Sequence, residues 1–163
     1  MKAQPVPPPP PLPHTFLHHI AVQTTDLDNC TTWYRDFLGC RRTWATDRFS
    51  DLTVSRLPGI VRMAELARGD TRFHLFERAA SGEGRPHPHE TQFQHVCMAV
   101  DSPDALRRWR DHWWELARSG RYAFSLPDPP TDIVMDDDGV ESFYCLDVNG
   151  LEFEFTHVPE AVS

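Results

Sequence analysis

Apolar and polar residues alternate over 16–23 (FLHHIAVQ) and again over 93–100 (FQHVCMAV), the two-residue period of a strand with one buried face. Each run carries a histidine followed by Ile or Val, and each gives way to apolar residues at helical spacing. In the first helix Leu27, Trp33, Tyr34, Phe37 and Leu38 fall on the buried side, and Gly39 is the expected left-handed stop. Thr25 is the expected cap, with Asp28 completing an imperfect capping box. In the second, Ser102-Pro103 opens a helix that buries Leu106, Trp109, Trp113 and Leu116 before Gly120. Sliding the chain by about 76 residues lays His19 on His95, Thr25 on Asp101 and Trp33 on Trp109. The pattern is an internal duplication.

Further strands are expected over 40–46, 60–67 and 71–77, the last two joined by a Gly69-Asp70 hairpin turn and preceded by an irregular stretch through Pro58-Gly59. The second copy offers strands at 122–126, 141–146 and 151–157, with a Pro/Asp-rich loop after the first of them. Each copy reads β-α-β-β-β. The fold class is therefore α+β: paired βαβββ modules forming a cupped mixed sheet with the helices outside. The expected organisation is a proline-rich arm over 1–14, a first module over 15–78, a linker over 79–91, a second module over 92–158 and a tail over 159–163. The arm is poor in amide protons because of its prolines and reads as extended polyproline; His87 and His89 fall in a Gly/Pro-rich linker that reads as solvated.

Composition narrows the function classes. The chain has 163 residues, 40% hydrophobic and 25% charged, with no apolar run of membrane-spanning length. A net charge of −8 argues against nucleic acid and anionic membranes, because no basic stripe exists to displace counterions. Cys30, Cys40, Cys97 and Cys145 form no CxxC pair and read as thiols in a reducing compartment. With no secretion signal in view, the expected location is cytoplasmic.

The chemistry gathers on strand faces. Alternation groups His19 with Leu17, Ala21 and Gln23, His95 with Phe93, Cys97 and Ala99, His74 with Arg72 and Phe76, and Glu154 with Glu152 and Thr156. Isolated ionisable groups in mid-strand are costly to bury, so these point to a shared purpose. Two neutral imidazoles and a carboxylate leave open positions on a divalent metal, the facial arrangement associated with non-haem Fe(II). His18 falls on the opposite face from His19 and is assigned to packing or a backbone contact.

The segments LHHIAVQTTDLDNCTTWYRDFLG, RFHLFE, FQHVCMAVDSPDAL and ESFYCLDVNGLEFEF resemble the vicinal oxygen chelate superfamily of glyoxalases, bleomycin resistance proteins and type I extradiol dioxygenases. The resemblance implies paired βαβββ modules around a metal. Glyoxalase I carries a metal-binding glutamate where this chain has His74. Type I extradiol dioxygenases use two histidines and a glutamate on iron, a separate acid/base histidine and a tyrosine. The resemblance thus implies His19, His95 and Glu154 as Fe(II) ligands, His74 as acid/base, and Tyr144, ten residues before Glu154, as a hydrogen-bonding catalytic residue.

The compact size resembles the L-DOPA 2,3-dioxygenases of antibiotic pathways. The implied substrates are a catechol and dioxygen, and Arg72 is the candidate anchor for an amino-acid carboxylate. Open sheet edges point to a homodimer. The alternatives on this scaffold are a metal-dependent isomerase, epimerase or lyase, and a metal-free antibiotic-binding protein.

Overall fold

Strand and helix periods convert into structure with few changes. The computed structural model describes residues 15–79 and 93–159. The proline arm, His87 and His89, and the end of the tail lie outside the described residues. In the first half, β1 (Ile20–Thr24) leads into α1 (Leu27–Leu38) and β2 (Arg41–Thr46), then α2 (Asp51–Arg56), β3 (Ile60–Arg68) and β4 (Thr71–Arg78). In the second, β5 (His95–Ala99) leads into α3 (Pro103–Arg118), β6 (Val134–Met135), β7 (Glu141–Leu146) and β8 (Glu152–His157).

The strands build two four-stranded mixed sheets in the orders β1-β4-β3-β2 and β5-β8-β7-β6. In each, the first strand runs parallel to the last, and the remaining pairs are antiparallel. The registers repeat as well: Ala21 pairs with His74, and Cys97 pairs with Glu154. Since Ala21 and Cys97 are separated as His19 and His95 are, His74 and Glu154 hold equivalent places in the two sheets.

Helix α1 is capped by Asp26, whose carboxylate accepts the Asn29 amide at 3.0 Å, rather than by Thr25. Gly39 closes it with φ 70°, where a side chain would be strained. Ser102 caps α3 and proline opens it, as expected. Two differences stand out. Residues 51–56 form a short helix where no element was expected, with Ser50 as its cap. Residues 122–126 form no strand: the Tyr122 hydroxyl goes to Asp36, and Phe124 packs edge-on against Trp33 with ring centres 5.1 Å apart. Aromatic burial between the helices outweighs backbone pairing there.

The core lies between the sheets and decides where the site can be. Tyr34 of α1 meets Phe73 of β4 at 5.0 Å and Phe153 of β8 at 6.1 Å, and Phe37 meets Phe155 at 5.8 Å. Trp33 and Trp113 join the two helices edge to face. Fully burying side chains of this size contributes about 1.5–3 kcal/mol each. Phe73 and Phe153 face one another at 6.3 Å. Alternation then turns His74 and Glu154, their immediate neighbours, onto the outer faces, pointing away from each other. One chain supplies two half-cups.

Asp147 pins this arrangement. Its carboxylate, 1% exposed, accepts the amides of Asn149 and Leu151 at 2.8 Å each and the Tyr34 hydroxyl at 3.0 Å. Asp147→Ala would leave a buried hydroxyl and two turn amides unpaired, a loss of about 3 kcal/mol. Thermal unfolding should show a Tm lower by roughly 10 °C; an unchanged Tm would mean that the joint bears no load.

Candidate functional site

Each sheet carries a polar cluster on its outer face. On the first, the imidazoles of His19 and His74 stack with ring centres 3.7 Å apart and planes 6° apart. His18 Nδ1 lies 3.0 Å from His19 Nδ1. Nitrogens of His18, His19 and His74 all fall within 4.8 Å of one another, a grouping able to hold a metal ion. The packing role assigned to His18 therefore does not hold: β1 begins only at Ile20, so strand alternation does not separate residues 18 and 19.

Glu65 organises this cluster, and sequence reasoning missed it. It lies on β3 directly opposite His74, 4% exposed among apolar neighbours. A lone carboxylate in the run MAELA was the available signal. Its Oε2 is 2.9 Å from His74 Nε2, its Oε1 is 3.0 Å from Arg72 Nη1, and Thr43 donates its hydroxyl to it. The Thr43 and His74 hydrogen bonds, with the Arg72 charge, hold the Glu65 pKa down at about 2. Ionised, Glu65 can only accept, so Nε2 of His74 carries the proton and Nδ1 keeps the lone pair. Arg72, expected as a substrate anchor, is ion-paired with Glu65 through Nη1 and stays 43% exposed.

The sign of this pKa shift fixes a pH dependence. Glu65 contributes stability fully above its ordinary value of 4.5, and the contribution is lost as pH falls toward 2. Glu65→Gln should flatten the decline of unfolding free energy between pH 4.5 and 2, measured by urea titration; identical slopes in both proteins would contradict the assignment.

The second cluster is His95, Glu154 and Tyr144. His95 Nε2 lies 3.1 Å from Glu154 Oε2, and the Tyr144 hydroxyl donates to Glu154 Oε1 at 3.1 Å. Tyr144 is cross-strand from Glu154, as Glu65 is from His74. Burial and the Glu154 carboxylate raise the Tyr144 pKa, which keeps its proton on the hydroxyl and its role that of a donor. Glu152, also missed, places Oε1 3.4 Å from His95 Nδ1. That contact is not a hydrogen bond: Nδ1 is buried and unpartnered among the described residues.

The structure thus brings His95, Glu154 and Tyr144 together, and His19 with His74, but it does not gather His19, His95 and Glu154 within one chain. The aromatic packing of α1 between the sheets is the reason. The donors nonetheless suit a divalent metal. His95 Nδ1 is a buried nitrogen without a hydrogen bond among the described residues, and burial followed by the neighbouring His74 and His18 lowers the His19 pKa, favouring the neutral imidazole that ligates metals. Above His19 and His74 lies a cavity of about 570 Å³ walled by Trp44, Phe49, Met63 and Phe76.

The family model for the Glyoxalase/Bleomycin resistance protein/Dioxygenase superfamily matches residues 16–155. The chain belongs to this superfamily. No curated protein sequence matches the chain. Among solved structures, a glyoxylase/bleomycin resistance protein/dioxygenase domain from Frankia sp. superposes with TM-score 0.68 at 16% identity, covering 91% of this chain and 95% of that one. Lactoylglutathione lyase from Agrobacterium tumefaciens gives 0.56 at 19% identity, over 90% and 96%. The fosfomycin resistance protein FosX from Listeria monocytogenes, complexed with Mn(II) and sulfate, gives 0.55 at 14%, over 90% and 95%. At such identities the likeness is one of fold, and the superfamily fold is what this chain has. Among the described residues no helix is long and apolar enough to cross a membrane.

Proposed function

We propose that this superfamily member is an Fe(II)-dependent extradiol dioxygenase that opens a catechol ring, with L-DOPA cleaved at the 2,3 bond for antibiotic biosynthesis as the substrate its sequence resemblance favours. The observation that carries the reading is the Glu65–His74 pair. It is a buried carboxylate–imidazole couple beside His19, at the place where glyoxalase I resemblance would put a ligating glutamate. A proton acceptor of fixed tautomer suits a substrate that must lose phenolic protons.

In this reading two copies of the chain assemble the site, His19 and His74 of one facing His95, Glu154 and Tyr144 of the other. Pairing of two copies fits this reading, because each leaves a polar half-cup turned outward. His19, His95 and Glu154 would hold Fe(II), which when bound supplies a Lewis acid for the diol and a redox partner for dioxygen.

The chain's own residues do the rest. His74 Nδ1 takes a phenolic proton, while Glu65 stabilises the imidazolium that results. Tyr144 fixes one oxygen of Glu154 and so orients the carboxylate. Trp44, edge-on to His74 at 5.8 Å, helps to exclude water from the proton's path. Both atoms of dioxygen enter the ring-opened semialdehyde, so no external reductant is consumed.

Anaerobic loading with Fe(II), followed by L-DOPA in an oxygen electrode, should give one dioxygen consumed per catechol and a yellow product. Turnover with Ni(II) or Zn(II) and no oxygen demand would replace the reading with an isomerase or lyase. Stoichiometric ligand binding after chelation, without turnover, would replace it with sequestration.

A further inference from the structure

Arg72, the expected anchor, places one guanidinium nitrogen on Glu65. The cavity over His19 and His74 offers other arginines. Arg48, in the loop after β2, and Arg56, in the last turn of α2, both border it. Neither guanidinium has a hydrogen bond or ion pair among the described residues. On the same sheet, by contrast, Arg62 is held by Glu77 and Asp28, and Arg78 by Gln23 and the Pro58 carbonyl.

Among the described residues the wall contributes no carboxylate. Apart from the two arginines and the histidines it is apolar or hydroxylic, so its field favours an anion. Among its aromatic residues, Trp44 and Phe76 flank His74 at 5.8 Å and 6.2 Å between ring centres. The loop carrying Arg48 and the helix carrying Arg56 are held locally, with Thr46 Oγ1 accepting the Arg48 amide at 3.1 Å and Ser50 Oγ accepting the Thr53 amide at 3.2 Å.

We infer that Arg48 and Arg56 are the specificity residues of this cavity, binding the carboxylate of a substrate whose aromatic ring lies against Trp44 and Phe76 beside His74. The inference rests on the proposed function for the identity of the ring, and it adds to it the residues that select an aromatic diol carrying a short acidic side chain. Guanidinium–carboxylate pairs are planar, directional and charge-assisted, so their removal acts on binding before it acts on chemistry.

The test compares Arg48→Gln/Arg56→Gln with the unmodified protein on three catechols: L-DOPA, hydrocaffeic acid (carboxylate, no amine) and dopamine (amine, no carboxylate). The double variant should lose about 100-fold in kcat/KM with the two acids, chiefly through KM, and under about threefold with dopamine. An equal loss on all three, or none, would overturn the inference. A second measurement separates it from the oxygenase reading. L-Tyrosine, which lacks the diol, should bind the unmodified protein in calorimetry and bind the double variant at least about tenfold more weakly. Arginine-dependent tyrosine binding without oxygen uptake on any catechol would sink the oxygenase and sustain the inference. Catechol turnover indifferent to both arginines would do the reverse.

Discussion

His74→Ala is expected to retain bound iron yet lose about 10²–10⁴-fold in kcat, the range that a positioned general base supplies. The effect should be large because no other group on that face duplicates the Glu65–His74 couple. His18 and His19 are the neighbouring imidazoles, but neither is hydrogen-bonded to a buried carboxylate. Iron content and turnover must be measured on the same preparation, since His74 also belongs to the group of nitrogens close enough to hold an ion. Should His74→Ala empty the site, His74 is a ligand, occupying the place that Glu154 occupies in the second sheet, and the division into ligands and base is wrong. Glu65→Gln provides the intermediate case: the imidazole remains, its tautomer is no longer enforced, and turnover should fall less than in His74→Ala.

The second large effect is on metal content itself. His19→Ala and Glu154→Ala should each purify without stoichiometric iron and without oxygen uptake, although both remain folded by circular dichroism. Neither side chain belongs to the aromatic core, so stability should move little; the loss is one of donor atoms. Glu154→Ala also strands the Tyr144 hydroxyl, whose proton is held by burial and by that carboxylate. A variant lacking Glu154 that still loads iron to the level of the unmodified protein would remove the second half-cup from the site altogether.

Much of this was legible in the chain because alternation is a local property. The matching spacing of His19 to His95 and of Trp33 to Trp109 exposed the repeat, and the Gly69-Asp70 turn fixed the β3–β4 hairpin on which His74 sits. Tyr144 was named through the family resemblance, and the β7–β8 register then places it cross-strand from Glu154. What escaped was decided by tertiary packing. Phe124 and Tyr122 were drawn between the helices instead of into a strand. The six residues of α2 carry too weak a period to announce themselves, yet they place Arg56 at the cavity. Glu65 was hidden by its apolar neighbours, and its partner Thr43 comes from another strand.

The relative placement of the half-cups was the least legible feature. It depends on Tyr34, Phe37 and Trp33 filling the space between two sheets, and no pattern within either repeat encodes that. Each four-stranded sheet has one face on the helices and one turned outward, so within one chain the two polar clusters stay apart. A second copy supplies what is missing, under the function proposed here.

Co-expression of His19→Ala and Glu154→Ala chains bearing different tags, followed by purification through both tags, isolates the mixed dimer. If the site is shared between copies, one of its two sites carries both lesions and the other carries none. The mixed dimer should then load iron at about half the stoichiometry of the unmodified protein and recover about half of its oxygen uptake per chain. A mixed dimer as devoid of iron and activity as either parent would contradict the account.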